Sequence, residues 1–318
     1  MKYPGFITGL LCFAALSSSA QLITSTDFND LRYTFKKGDQ FEVLQHSEQD
    51  SYLTIDGVQQ RNTQQFDATL NLKILELQPG GAAAIEGHFS KLVLVSSGNN
   101  QRVSVDISSD GKDIYTEAFK AVTSRPFHFV LTEDGNVKDV TGIDSVLDSI
   151  VNTLSSLKKK EERDAMGQLL KSQFGSEELN AKLIMVLPHY PTHEVRIGDS
   201  WPSVIYTDGF YHGRIDNYWK LEYADKYTIK LSNQGRFTTD RSEVVDMGSG
   251  LKGTIDLTGD THGDYLVDPE TEWPSTCNQH TELNGSYTYK ANKKLKMKDD
   301  LNVPVRVVSD ISYHIKHL

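Results

Sequence analysis

Long stretches of this chain place an apolar residue at every second position. Leu70, Leu72 and Ile74 alternate with polar neighbours, as does the segment 103–107. A side-chain period of two is typical of a β-strand with one buried face and one face in water. Leu75 directly follows Ile74 and breaks the alternation, so we predict a β-bulge at this point. Residues 31–140 are therefore expected to be mainly strands.

Residues that favour turns separate these strands. Short segments rich in glycine, asparagine, aspartate or proline connect antiparallel strands in hairpins. We expect hairpin turns at Pro79-Gly80-Gly81, Gly98-Asn99-Asn100, Asp110-Gly111 and Asp134-Gly135. In the last third of the chain Trp219, Leu221 and Tyr223 alternate again, and turns are predicted at Asp225-Lys226 and Asp268-Pro269-Glu270.

Between these two strand-rich parts the apolar spacing changes to three and four residues. It does so over residues 143–157 and again over 166–174. This spacing places the apolar side chains on one face of a helix. Gly175 ends one predicted helix, and Pro188 limits the next. We predict a helical insert over residues 141–187, whose apolar stripe covers part of a sheet.

The two strand-rich parts resemble each other. Segments 35–41 and 195–201 both contain Gly-Asp followed two residues later by an aromatic residue. A duplicated unit explains this similarity, and repeated turn sequences without duplication are the alternative. The predicted fold is β-rich α+β: two related curved antiparallel sheet units, at 21–140 and 188–318, with the helical insert packing against them.

The N-terminus has the pattern of a secretory signal peptide over residues 1–20. Lys2 supplies the positive end, residues 6–16 are apolar, and Ser18-Ser19-Ala20 provides a cleavage site. The apolar run is about half the ~20 residues that a membrane-spanning helix needs. Cys12 lies inside this run rather than after it, which disfavours a lipidated cysteine. We expect export through a cleavable signal peptide, to the periplasm or the cell surface, with no transmembrane span.

Composition excludes several classes of protein. The formal net charge is −10, so the chain lacks the basic surface of a nucleic-acid-binding protein. Of two cysteines, only Cys277 remains after the predicted cleavage, and a single cysteine cannot close an intramolecular disulfide.

No motif in the sequence identifies catalytic or cofactor-binding residues, and we assign no cofactor. Asp260, His262 and Asp264 alternate and would lie on one side of a strand, which makes them weak metal candidates. A solvated glycine-rich turn is the alternative interpretation. Asp208, His212 and Asp216 lack the spacing of a metal-binding loop.

Histidine also occurs in two further candidate pairs. His189 and His193 are four residues apart, but Pro188 and Pro191 prevent the regular helix that would bring them together. We therefore interpret this segment as a polar connector. Cys277 and the histidine three residues later would face opposite sides of a strand, which argues against a thiolate nucleophile.

Aromatic residues cluster in the last third of the chain. Tyr211, Trp219, Tyr223 and Tyr227 lie within a short segment and could line a groove for a lipid, a glycan or a peptide. Packing of these rings in the core is the alternative.

The order of several segments resembles the DUF6263 family of secreted proteins, which is found mainly in Bacteroidetes and has no assigned activity. The segments, spread over nearly the whole predicted mature chain, are Phe35-Lys36-Lys37-Gly38-Asp39, residues 129–137, Gly142-Ile143-Asp144, residues 174–179, Pro188, Gly198-Asp199-Ser200-Trp201 and Leu251-Lys252-Gly253-Thr254. The resemblance implies an exported protein of unknown function and carries over no catalytic residues.

Three functional hypotheses follow. The first is an envelope protein that is not an enzyme and binds an apolar ligand, such as a lipid, or an envelope protein partner; it predicts a dry apolar cavity of roughly several hundred Å³ between sheet and helices. The second is an envelope hydrolase, which requires histidine and acidic side chains to converge in a cleft. The third is a structural or adhesion module with an exposed apolar patch.

Overall fold

The computed structural model describes residues 29–98, 101–154, 157–248 and 250–318. Over these ranges the chain forms thirteen strands and four α-helices, so the β-rich α+β class is confirmed. The strands are β1 Gln40–Ile55, β2 Val58–Leu77, β3 Ala83–Gly98, β4 Gln101–Asp106, β5 Phe127–Leu131, β6 Val137–Thr141, β7 Ser200–Thr207, β8 Gly213–Ala224, β9 Ile229–Thr239, β10 Val245–Gly248, β11 Leu251–Val267, β12 Pro274–Tyr289 and β13 Leu301–His317. The helices are α1 Ile114–Thr123, α2 Asp144–Thr153, α3 Lys160–Phe174 and α4 Ser176–Val186.

All the described strands belong to one antiparallel sheet. Its order is β6-β5-β3-β2-β1-β13-β12-β11-β9-β8-β7, while β4 pairs with β3 and β10 pairs with β11. β1 joins β13 in a continuous register from Phe41 opposite His317 to Leu53 opposite Val305. The two strand-rich parts of the chain therefore lie side by side as the two halves of a single sheet.

Most of the predicted turns connect neighbouring strands. The turns at 79–81, 134–135, 225–226 and 268–270 lie between β2 and β3, β5 and β6, β8 and β9, and β11 and β12. The register slips between Ile74 and Glu76, which confirms the bulge at Leu75. Of the turn predicted at residues 98–100, Asn99 and Asn100 lie outside the described residues. The predicted signal peptide, residues 1–20, also lies outside them.

The prediction of a hairpin at Asp110-Gly111 is wrong. This segment leads into helix α1, and the Asp113 carboxylate caps it by accepting hydrogen bonds from the backbone N–H groups of Tyr115 and Thr116. The helix is short, and its buried Phe119 packs among residues that are distant in sequence, so its apolar pattern was too brief to stand out.

The helices pack on one face of the sheet, which we call the inner face. Phe174, at the end of α3, contacts Phe89 of β3 and Phe119 of α1, with ring centroids 5.7 and 5.2 Å apart. Leu179 and Leu183 of α4 belong to the same buried core. The apolar side chains predicted for the helical insert therefore cover part of the sheet.

An aromatic cluster also joins the two halves of the sheet. Trp273 follows the β11–β12 turn, is 2% exposed and stacks on Phe41 of β1 at a centroid distance of 4.1 Å. Tyr33 meets Trp273 edge to face at 5.4 Å and donates a hydrogen bond to the carbonyl of Pro188. Residues from both halves and from the connector after α4 thus share one buried contact.

We expect Trp273→Ala to lower the free energy of unfolding by about 3–5 kcal/mol, because it leaves a large cavity at this junction. Tyr227→Ala is the matched control, since Tyr227 is 74% exposed and its loss should change stability little. Urea denaturation of a chain spanning residues 21–318 measures both. Equal losses in the two variants would show that the aromatic cluster does not hold the halves together.

Candidate functional site

A cavity of about 490 Å³ lies between the inner face of the sheet and helices α3 and α4. Its floor is formed by β1, β2, β8, β9, β11, β12 and β13, and its roof by the end of α3, by α4 and by the loop after β7. The lining side chains that the following paragraphs use are Gln45, Ser47, Gln49, Ser51, Asn62, Gln64, Phe66, Glu178, Lys182, Phe210, Tyr211, Ile215, Phe237, Thr261, Thr281, Leu283, Tyr287, Val307, Ser309 and Ile311.

A row of polar or small residues crosses the floor of this cavity. Strand register places them opposite one another on eight successive strands, so their side chains share the inner face. The row, from β8 to β3, is Asn217, Gly235, Thr261, Thr281, Ser309, Gln49, Gln64 and Ser96. The Thr281 hydroxyl donates to the Thr261 hydroxyl at 3.0 Å, which is the pattern of a cross-strand threonine pair.

On β1 and β2 this polarity extends to the neighbouring positions. We call the six residues the β1–β2 wall: Gln45, Ser47, Gln49, Ser51, Asn62 and Gln64. All are uncharged, and all carry groups that can both donate and accept hydrogen bonds. The inner face of β1 is apolar at Phe41 and Val43, polar from Gln45 to Ser51, and apolar again at Leu53.

On the other side of the floor the cavity-lining side chains next to the polar row are apolar. Leu283, Val307, Ile311, Ile215 and Phe237 line this side. We call it the apolar side, together with the rings described next. The cavity therefore has a hydrogen-bonding wall and an apolar side that face the same space.

Three aromatic rings complete the apolar side. The hydroxyls of Tyr211 and Tyr287 lie 3.1 Å apart and share a hydrogen bond. Phe210 meets both rings edge to face, at centroid distances of 5.1 and 6.4 Å. Burial raises the pKa of both tyrosines, so these hydroxyls are neutral at physiological pH.

Glu178 and Lys182 supply opposite charges on the roof. Their side chains lie one helical turn apart on α4, with Nζ 3.7 Å from Oε1. Lys182 also donates to the carbonyl of Gln173 at 2.9 Å and lies 5.3 Å from the ring centroid of Phe66. Burial lowers the pKa of Lys182, and the neighbouring Glu178 carboxylate opposes that shift.

The structure does not bring the four predicted groove residues together. Tyr211 lines the cavity, but Trp219 is 1% exposed and its indole N–H donates to the Ser203 hydroxyl at 2.9 Å. Tyr223 and Tyr227 flank the β8–β9 turn and are 46% and 74% exposed. Core packing, the alternative interpretation, applies to Trp219.

The metal candidates lie on the outer face of β11, as their alternation predicts. Asp260 pairs with Arg236 at 3.2 Å, and Asp264 lies 3.8 Å from Lys230. His262 is directly opposite a histidine of β12 in the strand register. Among the residues that the structure describes, no group of three or more histidine, cysteine or acidic side chains could hold a metal ion.

The segment 208–216 is likewise divided between different partners. His212 pairs with Asp208 at 3.2 Å, whereas Asp216 pairs with Arg214 on β8. His212 also lies 3.8 Å from a Glu243 oxygen, on its other ring nitrogen. These side chains are partly or largely exposed, and in the part of the chain that the structure describes they do not form a group that could hold a metal ion.

Cys277 and His280 point to opposite faces of β12, as the sequence predicts. Cys277 is fully buried, and burial raises the pKa of its thiol to about 12. His280 is exposed and its Nδ1 lies 2.7 Å from Asp310. The thiol is therefore protonated at neutral pH and is not a nucleophile.

The interpretation of residues 189–193 as a polar connector is wrong for His189. Its ring is buried 6.4 Å from that of Trp219, while His193 is exposed. Burial lowers the pKa of His189 to about 4, against smaller opposing effects of Asp134 and the backbone of Ile184. This histidine is a neutral part of the core.

The wall of hydrogen-bonding residues on β1 and β2 was not found from the sequence. Both faces of these strands are polar at this level, because His46, Glu48 and Asp50 alternate with the inward-facing residues. Only the register with β13 and the position of α4 distinguish the two faces.

Family comparison agrees with the order of segments in the sequence. Residues 80–274 match DUF6263, described as a family of unknown function. The chain belongs to this family. The match spans β3 to β11 and all four helices, and so includes the roof of the cavity and the floor strands β8, β9 and β11 in this DUF6263 protein; β1, β2, β13 and all but the first residue of β12 lie outside it.

Comparison with the curated proteins gives no match. Among solved structures, one on lipid–protein interactions in lipovitellin is similar over 89% of this chain, with 11% identity and a TM-score of 0.49. This chain spans about a quarter of that one, since 25% of the lipovitellin chain is covered. An outer-membrane channel from Pseudomonas putida F1 is 8% identical over 89% of this chain and 97% of its own, with a TM-score of 0.27. Likenesses this weak carry no argument about function.

Within the described ranges, none of the helices combines the length and the apolar character that crossing a bilayer requires.

The buried His189 makes a testable contribution to stability. Because its pKa is about 4 in the folded chain and about 6.5 when unfolded, the unfolded state takes up the proton first as the pH falls. Folding stability from this group is therefore present above about pH 6.5 and is lost progressively toward pH 4. Between about pH 7.5 and pH 5 the loss should reach about 2 kcal/mol.

Chemical denaturation of the native chain and of His189→Gln at both pH values measures this effect. The difference in the free energy of unfolding between the native chain and His189→Gln should be about 2 kcal/mol smaller at pH 5 than at pH 7.5. Glu272, whose pKa burial raises to about 7, titrates in both proteins and cancels in the comparison. His193→Gln, at an exposed position of the same connector, is the matched substitution for comparison. An identical pH dependence in His189→Gln would contradict a neutral buried histidine.

Proposed function

We propose that this protein is an exported envelope protein that is not an enzyme and binds an apolar or amphipathic ligand in the cavity between the sheet and helices α3 and α4. The observation that carries the proposal is the cavity itself. Its volume of about 490 Å³ lies within the range of roughly 300–1,000 Å³ that small-molecule sites occupy. It also occupies the position expected for the first of the three hypotheses.

The lining differs from the dry apolar cavity that this hypothesis predicted. The apolar side fits that expectation, but the polar row and the β1–β2 wall do not. Burying apolar ligand surface against the apolar side supplies about 0.8 kcal/mol per methylene before the costs of association. The polar wall adds groups that can orient one end of the ligand.

The hydrolase hypothesis receives no support from the geometry. A hydrolase needs a base and a nucleophile or activated water in one cleft. Among the described residues that line the cavity there is no histidine and no cysteine. The histidine–carboxylate contacts, such as His46 with Asp67 and His128 with Glu86, involve exposed or partly exposed side chains on the surface.

Ligand binding is tested with N-phenyl-1-naphthylamine, a neutral dye that fluoresces in apolar surroundings. We expect the mature chain to enhance its fluorescence. Ser309→Phe, which places a ring on the cavity floor, should weaken dye binding about tenfold or more, since ~1.4 kcal/mol of lost contact is a factor of ten. Ser312→Phe is the matched control, because that position lies on the outer face of the same strand.

Both variants should retain cooperative unfolding. Dye binding that is equally strong in both variants, or absent from the native chain, would contradict a ligand site in this cavity. Mass spectrometry of protein purified from its own envelope then identifies the molecule that it carries.

Export is tested separately, since residues 1–20 lie outside the described residues. We expect the protein recovered from the envelope fraction to begin at Gln21, because signal peptidase cleaves after small residues such as Ala20. N-terminal sequencing measures this. Recovery of the full-length chain from the cytoplasm would argue against export.

A further inference from the structure

The cavity separates uncharged polar groups from apolar ones across its width. The β1–β2 wall contributes amides and hydroxyls, and the opposite side contributes aliphatic and aromatic surface. In the described part of the chain the half-buried side-chain amides of Gln45, Asn62 and Gln64 make no hydrogen bond to another protein group. Each amide therefore has donors and an acceptor available toward the cavity.

The charges that border the cavity cancel. Glu178 and Lys182 pair with each other, and Lys182 also donates to a backbone carbonyl. A ligand anion would have to compete with Glu178 for this ammonium group, and a ligand cation would have to compete with Lys182 for the carboxylate. Transferring a charge from water without a free partner is costly.

We propose that the ligand is an uncharged amphiphile, with a hydroxyl- or amide-bearing head against the β1–β2 wall and an acyl or other apolar chain against the apolar side. This inference rests on the proposed function. Hydroxyl groups both donate and accept, so they match side-chain amides, whereas a carboxylate only accepts. Neutral glycerides and other uncharged lipids belong to this class, and free fatty acids and lysophospholipids with a net charge do not.

Displacement of N-phenyl-1-naphthylamine distinguishes these classes. The competitors are 1-oleoylglycerol, which is neutral, and oleate at a pH where it is ionised, so the acyl chain is the same in both. We expect 1-oleoylglycerol to bind about tenfold or more tightly than oleate. Equal or stronger binding of oleate would overturn the inference while leaving a ligand site in place. If the native chain does not bind the dye and neither competitor binds directly, the proposed function fails as well.

Variants of the wall test where the head lies. The double variant Gln49→Leu with Gln64→Leu should weaken 1-oleoylglycerol binding about tenfold relative to dye binding by the same variant, because the dye has no hydroxyl or amide head for the wall to hold. Gln59→Leu is the matched control, because Gln59 lies at an exposed position on the same β2 strand. If the double variant weakens the binding of the dye, 1-oleoylglycerol and oleate by the same factor, the wall only shapes the cavity. That result would contradict a role in head-group recognition.

Changing the charge of the roof gives the converse test. Glu178→Gln keeps a hydrogen-bond acceptor near the backbone N–H of Phe210 but removes the partner of Lys182. The unpaired ammonium should then attract an anion, so oleate should bind several-fold more tightly while 1-oleoylglycerol changes little. Unchanged oleate affinity would show that charge compensation does not set the preference.

Discussion

The pairing of β1 with β13 is the contact on which the rest of the structure depends. These strands come from opposite ends of the described chain, and they join two sets of antiparallel strands into one continuous sheet. The cavity lies directly across this seam, with β1 and β2 on one side and β12 and β13 on the other. Without this pairing the polar wall and the apolar side would belong to separate surfaces.

The change of polarity along β1 accounts for the presence of a cavity rather than a filled core. Near Phe41 and Val43 the inner face is apolar, and Leu183 of α4 and Leu187, directly after that helix, belong to the same buried core. From Gln45 to Ser51 the inner face is polar, and close packing of an apolar helix there would leave amides and hydroxyls without partners. The space between sheet and helix satisfies both requirements.

Much of the fold follows from local sequence. The bulge at Leu75, the turns around Gly80, Gly135 and Pro269, and the apolar stripes of the insert are set by neighbouring residues, and a short pattern is enough to predict them. Helix α1 was missed because it is short and its buried residues meet distant partners. Of the predicted groove, Tyr211 lines the cavity, since alternation gives the phase of a strand but not what covers each face.

The candidate site is decided by contacts that no local pattern contains. Gln49 stands next to Ser309 only because strands some 260 residues apart in the chain pair in one register. Gln49 and Glu48 are both polar, and it is the sheet and helix α4 that direct the first into a cavity and the second toward solvent. Local sequence thus determines most of the strands and turns and the helices of the insert, but not a short helix such as α1. The tertiary structure determines which polar residues face one another, because strand pairing over such distances depends on the whole chain rather than on neighbouring residues.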